Sequence, residues 1–294
     1  MTRSVQASYL CVAAILLLVG CHRPEPSETT GSAEPAAAPM APVTYALRTK
    51  VRQPIQAGAP SGMTVSVVTS DGRPATLEQT YNASLHVVVV SRDLRWYTHL
   101  HADESPVTDS PLAITFPADG EYVLFAYFQP VGGEVETRTI PVRVGSSTAP
   151  RPAPALRNTS TVHTERGYRI EMIASPVPLR PNVWESFTFH MSRGGAPIAN
   201  LGSEGALGHL AIVAEEAKDF VFAHSTVEEA GGVRSAMHMP MHPALANETF
   251  HAMQPVGPDA TFHARFPHPG HYKLWAEFTP GDDVTAEFVV TVSP

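Results

Sequence analysis

The sequence predicts an all-β protein made of two tandem antiparallel β-sandwich domains. Charged residues are sparse at 16%, and 28 prolines punctuate the chain, a combination that favours short strands joined by turns. No segment after the N-terminal apolar stretch repeats its hydrophobic residues with the 3.6-residue period of a helix. The decisive observation is an internal repeat, since self-similarity over a whole domain indicates a duplicated unit.

The two copies align with few gaps. A shift of 123 positions places His86 on His209 and His101 on His224. Beyond that point the shift becomes 150, because the second copy carries 27 additional residues, and Tyr122 then falls on Tyr272. We therefore predict repeat 1 over residues 44–145, a Pro-rich linker over 146–160, and repeat 2 over 161–294.

Each repeat contains strand-length segments rich in β-branched and aromatic residues, separated by turns. About 100 residues per copy fit a two-sheet sandwich of immunoglobulin-like or cupredoxin-like architecture. The predicted strands of the first copy are Met63–Thr69, Ser84–Ser91, Ala113–Phe116, Glu121–Phe128 and Val135–Val144. Those of the second copy are Ser186–Ser192, His209–Ala214, Thr261–Phe266, His271–Phe278 and Thr285–Val292.

The N-terminus is typical of an exported protein. Arg3 precedes the apolar run Leu10–Gly20, which is shorter than the roughly 20 residues that a membrane span requires. Leu18-Val19-Gly20-Cys21 resembles the lipobox of bacterial lipoproteins, which implies a signal peptide over 1–20 and lipidation at Cys21. Residues 21–43 would then form a disordered tether. An ordinary signal peptide with an incidental cysteine is the alternative.

Composition excludes several function classes. The only cysteines are Cys11 and Cys21, so the exported chain has no disulfide, zinc-thiolate or blue-copper site. The net charge of −8 argues against a nucleic-acid partner. No G-x-S-x-G, H-E-x-x-H or phosphate-binding loop occurs, so we expect the protein not to be an enzyme.

Both copies share a longer pattern that resembles the YtkA-like and heavy-metal-associated secreted domains of bacteria. A histidine opens a hydrophobic strand, an acidic turn and a second histidine follow, and then comes aromatic-Pro-x-x-Gly-x-Tyr. In repeat 1 these are His86, Asp93, His101 and the run Phe116–Tyr122. The resemblance implies an extracytoplasmic sandwich and carries no reaction.

Histidines and methionines are the residues most suggestive of chemistry, because imidazole suits copper and zinc and thioether sulfur favours Cu(I). The 14 histidines are concentrated late in the chain. We predict a metal site, for copper or zinc, built from the second repeat and its insertion: His209, His224, His238, Met239, Met241 and His242. A possible second site in the first repeat comprises His86, His99 and His101, of which the last two share one strand face.

Less specific interpretations of these residues remain open. A histidine at the start of a strand can serve only as a hydrogen-bonding residue, and a Met-rich segment can be a lid or partner surface. Three function classes follow: a copper-handling envelope lipoprotein, a protein-interaction or structural envelope module without metal, and, least favoured, a hydrolase using Asp93, Asp103 and Glu104. The expected partners are the membrane, through the lipid, and other envelope proteins. The expected location is the cell envelope outside the cytoplasm, at the outer membrane or in the periplasm of a Gram-negative host.

Overall fold

The computed structural model describes residues 43–51, 54–81, 83–102, 106–146, 156, 160–199, 201, 208–215, 217–226, 228–229, 232–233, 257–281 and 283–294. The predicted signal peptide, the predicted lipidation site Cys21 and most of the predicted tether lie outside these ranges. Within them, no helix has the length and apolar character needed to cross a membrane.

The first repeat folds into two antiparallel sheets. Its strands are β1 (Tyr45–Lys50), β2 (Met63–Thr69), β3 (Leu85–Ser91), β4 (Tyr97–Ala102), β5 (Ser110–Leu112), β6 (Gly120–Phe128) and β7 (Glu136–Val144). One sheet has the order β1-β2-β5 and the other β4-β3-β6-β7. Side chains from both sheets, among them Val65, Leu124 and Phe128, form the core between them.

The second repeat follows the same plan with additional short strands. They are β8 (Val162–Glu165), β9 (Tyr168–Ser175), β10 (Trp184–Arg193), β11 (Ala196–Pro197), β12 (His209–Ala214), β13 (Phe220–Thr226), β14 (Glu228–Glu229), β15 (Gly232–Val233), β16 (Asp259–Arg265), β17 (Gly270–Phe278) and β18 (Val284–Val292). The path β18-β17-β12-β13-β16-β10-β9-β8 runs through both faces of the sandwich, because the end of β13 pairs with β16. Among the described residues, strands β14 and β15 pair with each other and with no other strand.

The all-β class and the tandem sandwich architecture are confirmed. Most predicted strands match observed ones within two residues, but the prediction for Ala113–Phe116 is wrong. The strand in that region is β5, which lies earlier, and Thr115 forms only an isolated bridge with Pro60. Proline at 111 and 117 removes two backbone donors there, which limits a regular ladder.

Strand register reproduces the sequence repeat. His86 of β3 pairs with His101 of β4 and with Tyr127 of β6. His209 of β12 pairs in the same way with His224 of β13 and with Glu277 of β17. Equivalent positions of the two repeats therefore occupy equivalent places in their sheets.

A tyrosine near the start of one strand closes the same corner in both copies. The hydroxyl of Tyr122 donates to the carbonyl of Ala118 at 2.8 Å, and that of Tyr272 donates to the carbonyl of His268 at 2.9 Å. This contact, four residues back along the chain, is the tyrosine corner of immunoglobulin-like sandwiches.

A third apolar core joins the two repeats. It contains Val88 and Val123 from the β4-β3-β6-β7 sheet and Ala211 and Trp275 from the facing sheet of repeat 2. These strands are therefore buried on both faces, which explains the four-valine run of β3. The described parts of the two repeats thus stack as four sheet layers, with the two inner sheets packed against each other.

The contacts across this interface are related by an approximate twofold axis. Tyr97 stacks on Trp275 with ring centroids 5.0 Å apart. The equivalent positions in the opposite repeats form the second stack, Phe220 on Phe125, at 4.5 Å. Each repeat thus offers the same surface to the other, as in an isologous dimer.

Truncation of a buried aromatic at this interface tests its contribution to stability. Trp275 is fully buried, so W275A is expected to lower the free energy of unfolding by about 3–5 kcal/mol. Trp184, 54% exposed, is the matched control, and W184A should cost less than about 1 kcal/mol. Urea unfolding followed by circular dichroism measures both values. Equal effects of the two substitutions would contradict a packed interface.

Candidate metal centre

Five histidines meet at the interface between the repeats. Three come from repeat 1 and two from repeat 2, and neighbouring ring centroids lie within 6 Å of one another. We call this group the histidine cluster; its members are His86, His99, His101, His209 and His224. The rings of His86 and His209, which are equivalent in the repeat, have centroids 5.6 Å apart across the approximate axis.

Strand geometry explains why these side chains converge. In β4, His99 and His101 are two residues apart and so project from one face of the sheet. His101 is opposite His86 in the β3–β4 ladder, and His99 is opposite Val88. Val88 belongs to the interface core, so this face of β3 and β4 is turned toward repeat 2, where His209 and His224 form the equivalent pair.

The hydrogen bonds of two cluster members fix where their protons lie. Nε2 of His86 is 2.9 Å from the carbonyl oxygen of Thr80, which can only accept, so Nε2 carries the hydrogen. Nδ1 of His99 is 2.7 Å from Oε2 of Glu277, and Nδ1 donates when that carboxyl group is ionised. In the neutral rings, Nδ1 of His86 and Nε2 of His99 are then left with lone pairs.

These two lone-pair nitrogens face each other. Nδ1 of His86 and Nε2 of His99 are 3.3 Å apart. Two ligands of a tetrahedral ion with metal–nitrogen bonds of 2.0–2.1 Å are separated by about 3.3–3.4 Å. The spacing is therefore the one that two imidazole ligands of a single tetrahedral ion adopt.

Two further histidines extend this pair into possible ligand sets. The ligand atoms of His86, His101 and His209 all lie within 4.8 Å of one another, and so do those of His99, His209 and Glu277. Nε2 of His209 and Nε2 of His224 are buried without a hydrogen-bond partner in the described part of the chain. A buried nitrogen without a hydrogen-bond partner lowers the stability of the fold unless something binds it, and a metal ion can do so.

Burial keeps four of the cluster histidines uncharged, namely His86, His99, His209 and His224. The pKa of His86 and that of His99 fall to about 3, chiefly through burial and with smaller contributions from neighbouring histidines. The pKa of His209 falls to about 2 and that of His224 also falls well below its usual value, again chiefly through burial. Burial raises the pKa of Glu277 to about 7. Neutral imidazole is the form that coordinates metals, so no proton needs to leave these histidines before an ion binds.

The approximate twofold axis is broken at one pair of positions. His99 faces Glu277, but the equivalent pair in the other half is Phe222 and Tyr127, with ring centroids 5.3 Å apart. His224 lies on that second, apolar side, where its ring stacks on Tyr81 at 3.4 Å. The polar contacts of the cluster are thus concentrated in one half of the interface.

Comparison with known proteins places the chain in a family. Residues 43–146 and 161–294 each match the family described as domain of unknown function DUF8832. The chain belongs to the DUF8832 family. The match is to this family and not to the YtkA-like or heavy-metal-associated domains that the sequence motifs resemble. No curated protein matches the sequence of this DUF8832 chain.

Several solved structures are similar to the DUF8832 chain at low identity. Domains 4 and 5 of the S-layer protein SbsC are 10% identical, with a TM-score of 0.22, over 86% of this chain and 100% of theirs. Two fibronectin type-III domains of chicken tenascin are 10% identical, with a TM-score of 0.22, over 83% and 98%. The D00–D0 domain of intimin is 11% identical, with a TM-score of 0.22, over 85% and 100%.

The structure revises the arrangement of sites predicted for this DUF8832 protein. The sequence predicted one site around His209 and His224 and a separate one at His86, His99 and His101. The structure brings all five histidines into one cluster, because the sheets that carry them face each other. The remaining predicted ligands, His238, Met239, Met241 and His242, lie outside the described residues.

Sequence reasoning missed Glu277, and Asp93, a residue of the least-favoured hydrolase hypothesis, lies away from the cluster. Glu277 is the only charged residue between Leu274 and Phe278, in a strand whose other face fills the core, and this isolation was the available signal. Asp93 is buried in the turn after β3, where it accepts a hydrogen bond from Ser91 at 2.6 Å. Since His86 lies at the opposite end of β3, Asp93 does not join the cluster; Asp103 and Glu104 lie outside the described residues.

Proposed function

We propose that this protein is a non-enzymatic metal-binding protein of the cell envelope that holds one copper or zinc ion between its two repeats. The observation that carries the proposal is the pair of nitrogens at 3.3 Å, Nδ1 of His86 and Nε2 of His99, each with its opposite nitrogen bound to an acceptor. Two facing lone pairs repel each other, and a cation shared by both converts that repulsion into attraction.

The donor set indicates which ions would bind. Imidazole nitrogen suits copper, zinc and nickel, and copper(II) binds most tightly of the divalent series. No thiolate is available after Cys21, so the centre would rest on histidine nitrogen, with Glu277 as the acidic residue at its edge. The ligands we assign are His86, His99, His101 and His209.

The difference in solvent exposure among the assigned ligands favours binding and release of an ion over catalysis. His101 is exposed, whereas His86 is buried, so an ion could enter from the His101 side and be held inside. A chain with such a site is suited to buffer a metal ion or to pass it to a partner.

The envelope location is part of the same proposal and rests on the N-terminal sequence. Leu18-Val19-Gly20-Cys21 has the lipobox pattern, and the chain beyond it contains no cysteine that oxidation could cross-link. We propose that Cys21 carries the lipid and that residues 21–43 tether the sandwiches to the membrane.

A second candidate function, docking to another envelope protein, has one specific observation in its favour. Repeat 2 exposes several large apolar side chains at the β9–β10 end of its outer sheet. They are Ile173, Val177, Val183 and Trp184. Exposed apolar groups of this kind mark protein contact sites when they are contiguous.

Metal titration separates the two candidates. We expect the purified protein, stripped with a chelator, to take up one Cu(II) or Zn(II) per chain, measured by isothermal titration and by elemental analysis after gel filtration. Retention of neither ion at a one-to-one ratio would contradict the metal proposal and favour the docking function.

A further inference from the structure

We infer that Glu277 acts through His99 as a positioning residue that makes the centre favour a divalent over a monovalent ion. The inference rests on the proposed function and adds the charge preference of the site. Oε2 of Glu277 is 2.7 Å from Nδ1 of His99, which leaves Nε2 to point at His86 and the assigned ion position. Carboxylate, histidine and metal would thus stand in one line of contacts.

The contact fixes the orientation and tautomer of His99. The side chain of His99 is only 5% exposed, so its ring has little alternative hydrogen bonding to water. A carboxylate on Nδ1 holds the hydrogen there and increases the electron density at Nε2, the ligand atom. The ring therefore offers a stronger donor than an isolated imidazole.

The charge of Glu277 is directed at the centre and is not paired with Lys273 of the same strand. Lys273 lies two pleats away on the same strand, but its Nζ binds Oε2 of Glu287 at 2.8 Å and the carbonyl of Leu94 at 2.8 Å. Among the described residues, Glu277 is the only carboxylate in either possible ligand set. Its negative charge, partly buried, therefore stabilises a 2+ ion more than a 1+ ion.

The repeat supplies an internal comparison. Tyr127 occupies the position equivalent to Glu277, and Phe222 the position equivalent to His99. The two pairs share one backbone geometry, yet the second has neither a carboxylate nor an imidazole nitrogen. The charge preference is therefore assigned to one half of the interface, and Tyr127 provides a control site in matched surroundings.

The test is the reduction potential of the copper-loaded protein. Glu277→Gln keeps an oxygen that can accept from Nδ1 of His99 and removes only the charge. We expect the ratio of Cu(II) to Cu(I) affinity to fall at least tenfold, which is a rise in potential of about 59 mV for one electron. Tyr127→Phe should leave the potential unchanged. Electron paramagnetic resonance of each variant checks that copper is still bound through nitrogen.

Each outcome has a distinct meaning. A potential of Glu277→Gln equal to that of the unmodified protein would overturn the inference, leaving Glu277 as a packing residue while the metal proposal stands. An unmodified protein that takes up neither copper nor zinc would instead overturn the proposed function. If Glu277→Gln does not fold, E277Y installs the residue that repeat 1 already accommodates at position 127, and the same rise is expected.

Discussion

Replacing His209 by alanine is expected to weaken Cu(II) binding by about 100-fold or more. Loss of a residue that merely orients a ligand typically lowers metal affinity 10–100-fold. Loss of the ligand itself should therefore lower the affinity by about 100-fold or more. His209 is shared by both possible ligand sets and is the ligand that repeat 2 contributes. Competition titration against a chelator of known affinity measures the change.

Comparing the Cu(II) affinities of several variants distinguishes a centre shared by both repeats from a site within one repeat. H101A, in repeat 1, should weaken binding as strongly as H209A. H268A is the control, because His268 is 69% exposed and pairs with Asp219 away from the cluster. Full affinity in H209A together with a loss in H101A would contradict a shared centre.

Mild acid is expected to destabilise the metal-free protein. Burial lowers the pKa of His86 and His99 to about 3, whereas histidine in an unfolded chain titrates near 6.5. As the pH falls below 6.5, the unfolded chain gains protons that the folded cluster does not take up. The free energy of unfolding should therefore drop by about 1.4 kcal/mol per pH unit for each such histidine, or about 2 kcal/mol each by pH 5.

Glu277 changes the free energy of unfolding in the opposite direction. The pKa of Glu277 is raised to about 7, so between pH 4.5 and 7 the folded protein holds a proton that the unfolded chain lacks. That contribution stabilises the fold as the pH falls and offsets about one histidine. Because the pKa values of His209 and His224 are lowered as well, the net effect is a loss of stability in acid.

Urea midpoints of the metal-free protein at pH 7 and pH 5 measure this effect. Bound metal should raise the midpoint at both pH values, since an ion that binds only the folded state stabilises it. The exposed His268 serves again as a control, and H268A should keep the pH dependence of the unmodified protein. A midpoint that does not change between the two pH values would mean that the cluster histidines accept protons in the folded state.

The fold could be predicted from the sequence because the duplication provides two different sequences for the same domain. Alternation along Glu121–Phe128 and His271–Phe278 predicted two strands at equivalent places, and both were found as β6 and β17. Sequence patterns could not separate β5 from its neighbours, since prolines interrupt the alternation there.

The location of the centre could not be deduced in the same way. The alignment showed that His86 and His209 occupy equivalent positions within their repeats. It did not show how one repeat packs on the other. A signal did exist in the four consecutive valines of β3, since a strand that is apolar on both faces has a partner on each. Nothing in a repeat alignment states that the partner is the second copy, so the five histidines were divided into two sites.

Glu277 illustrates a different limit. The alignment places it opposite Tyr127, so it does not belong to the shared pattern that drew attention to the histidines. Its role depends on His99, a residue 178 positions away in the chain and also absent from the shared pattern. Residues that break the repeat are thus the ones that the repeat cannot predict, and here both lie in the same half of the interface.

X-ray absorption spectroscopy of the copper-loaded protein tests the central claim most directly, because it counts the ligands of the ion and identifies their elements. A single ion held by the histidine cluster predicts about four nitrogen neighbours near 2.0 Å, with imidazole scattering at longer distance and no sulfur. That spectrum should persist when His238 and His242 are replaced. A sulfur shell, or loss of the nitrogen shell in the H238A/H242A protein, would contradict the account and move the ion to the Met/His segment of the insertion.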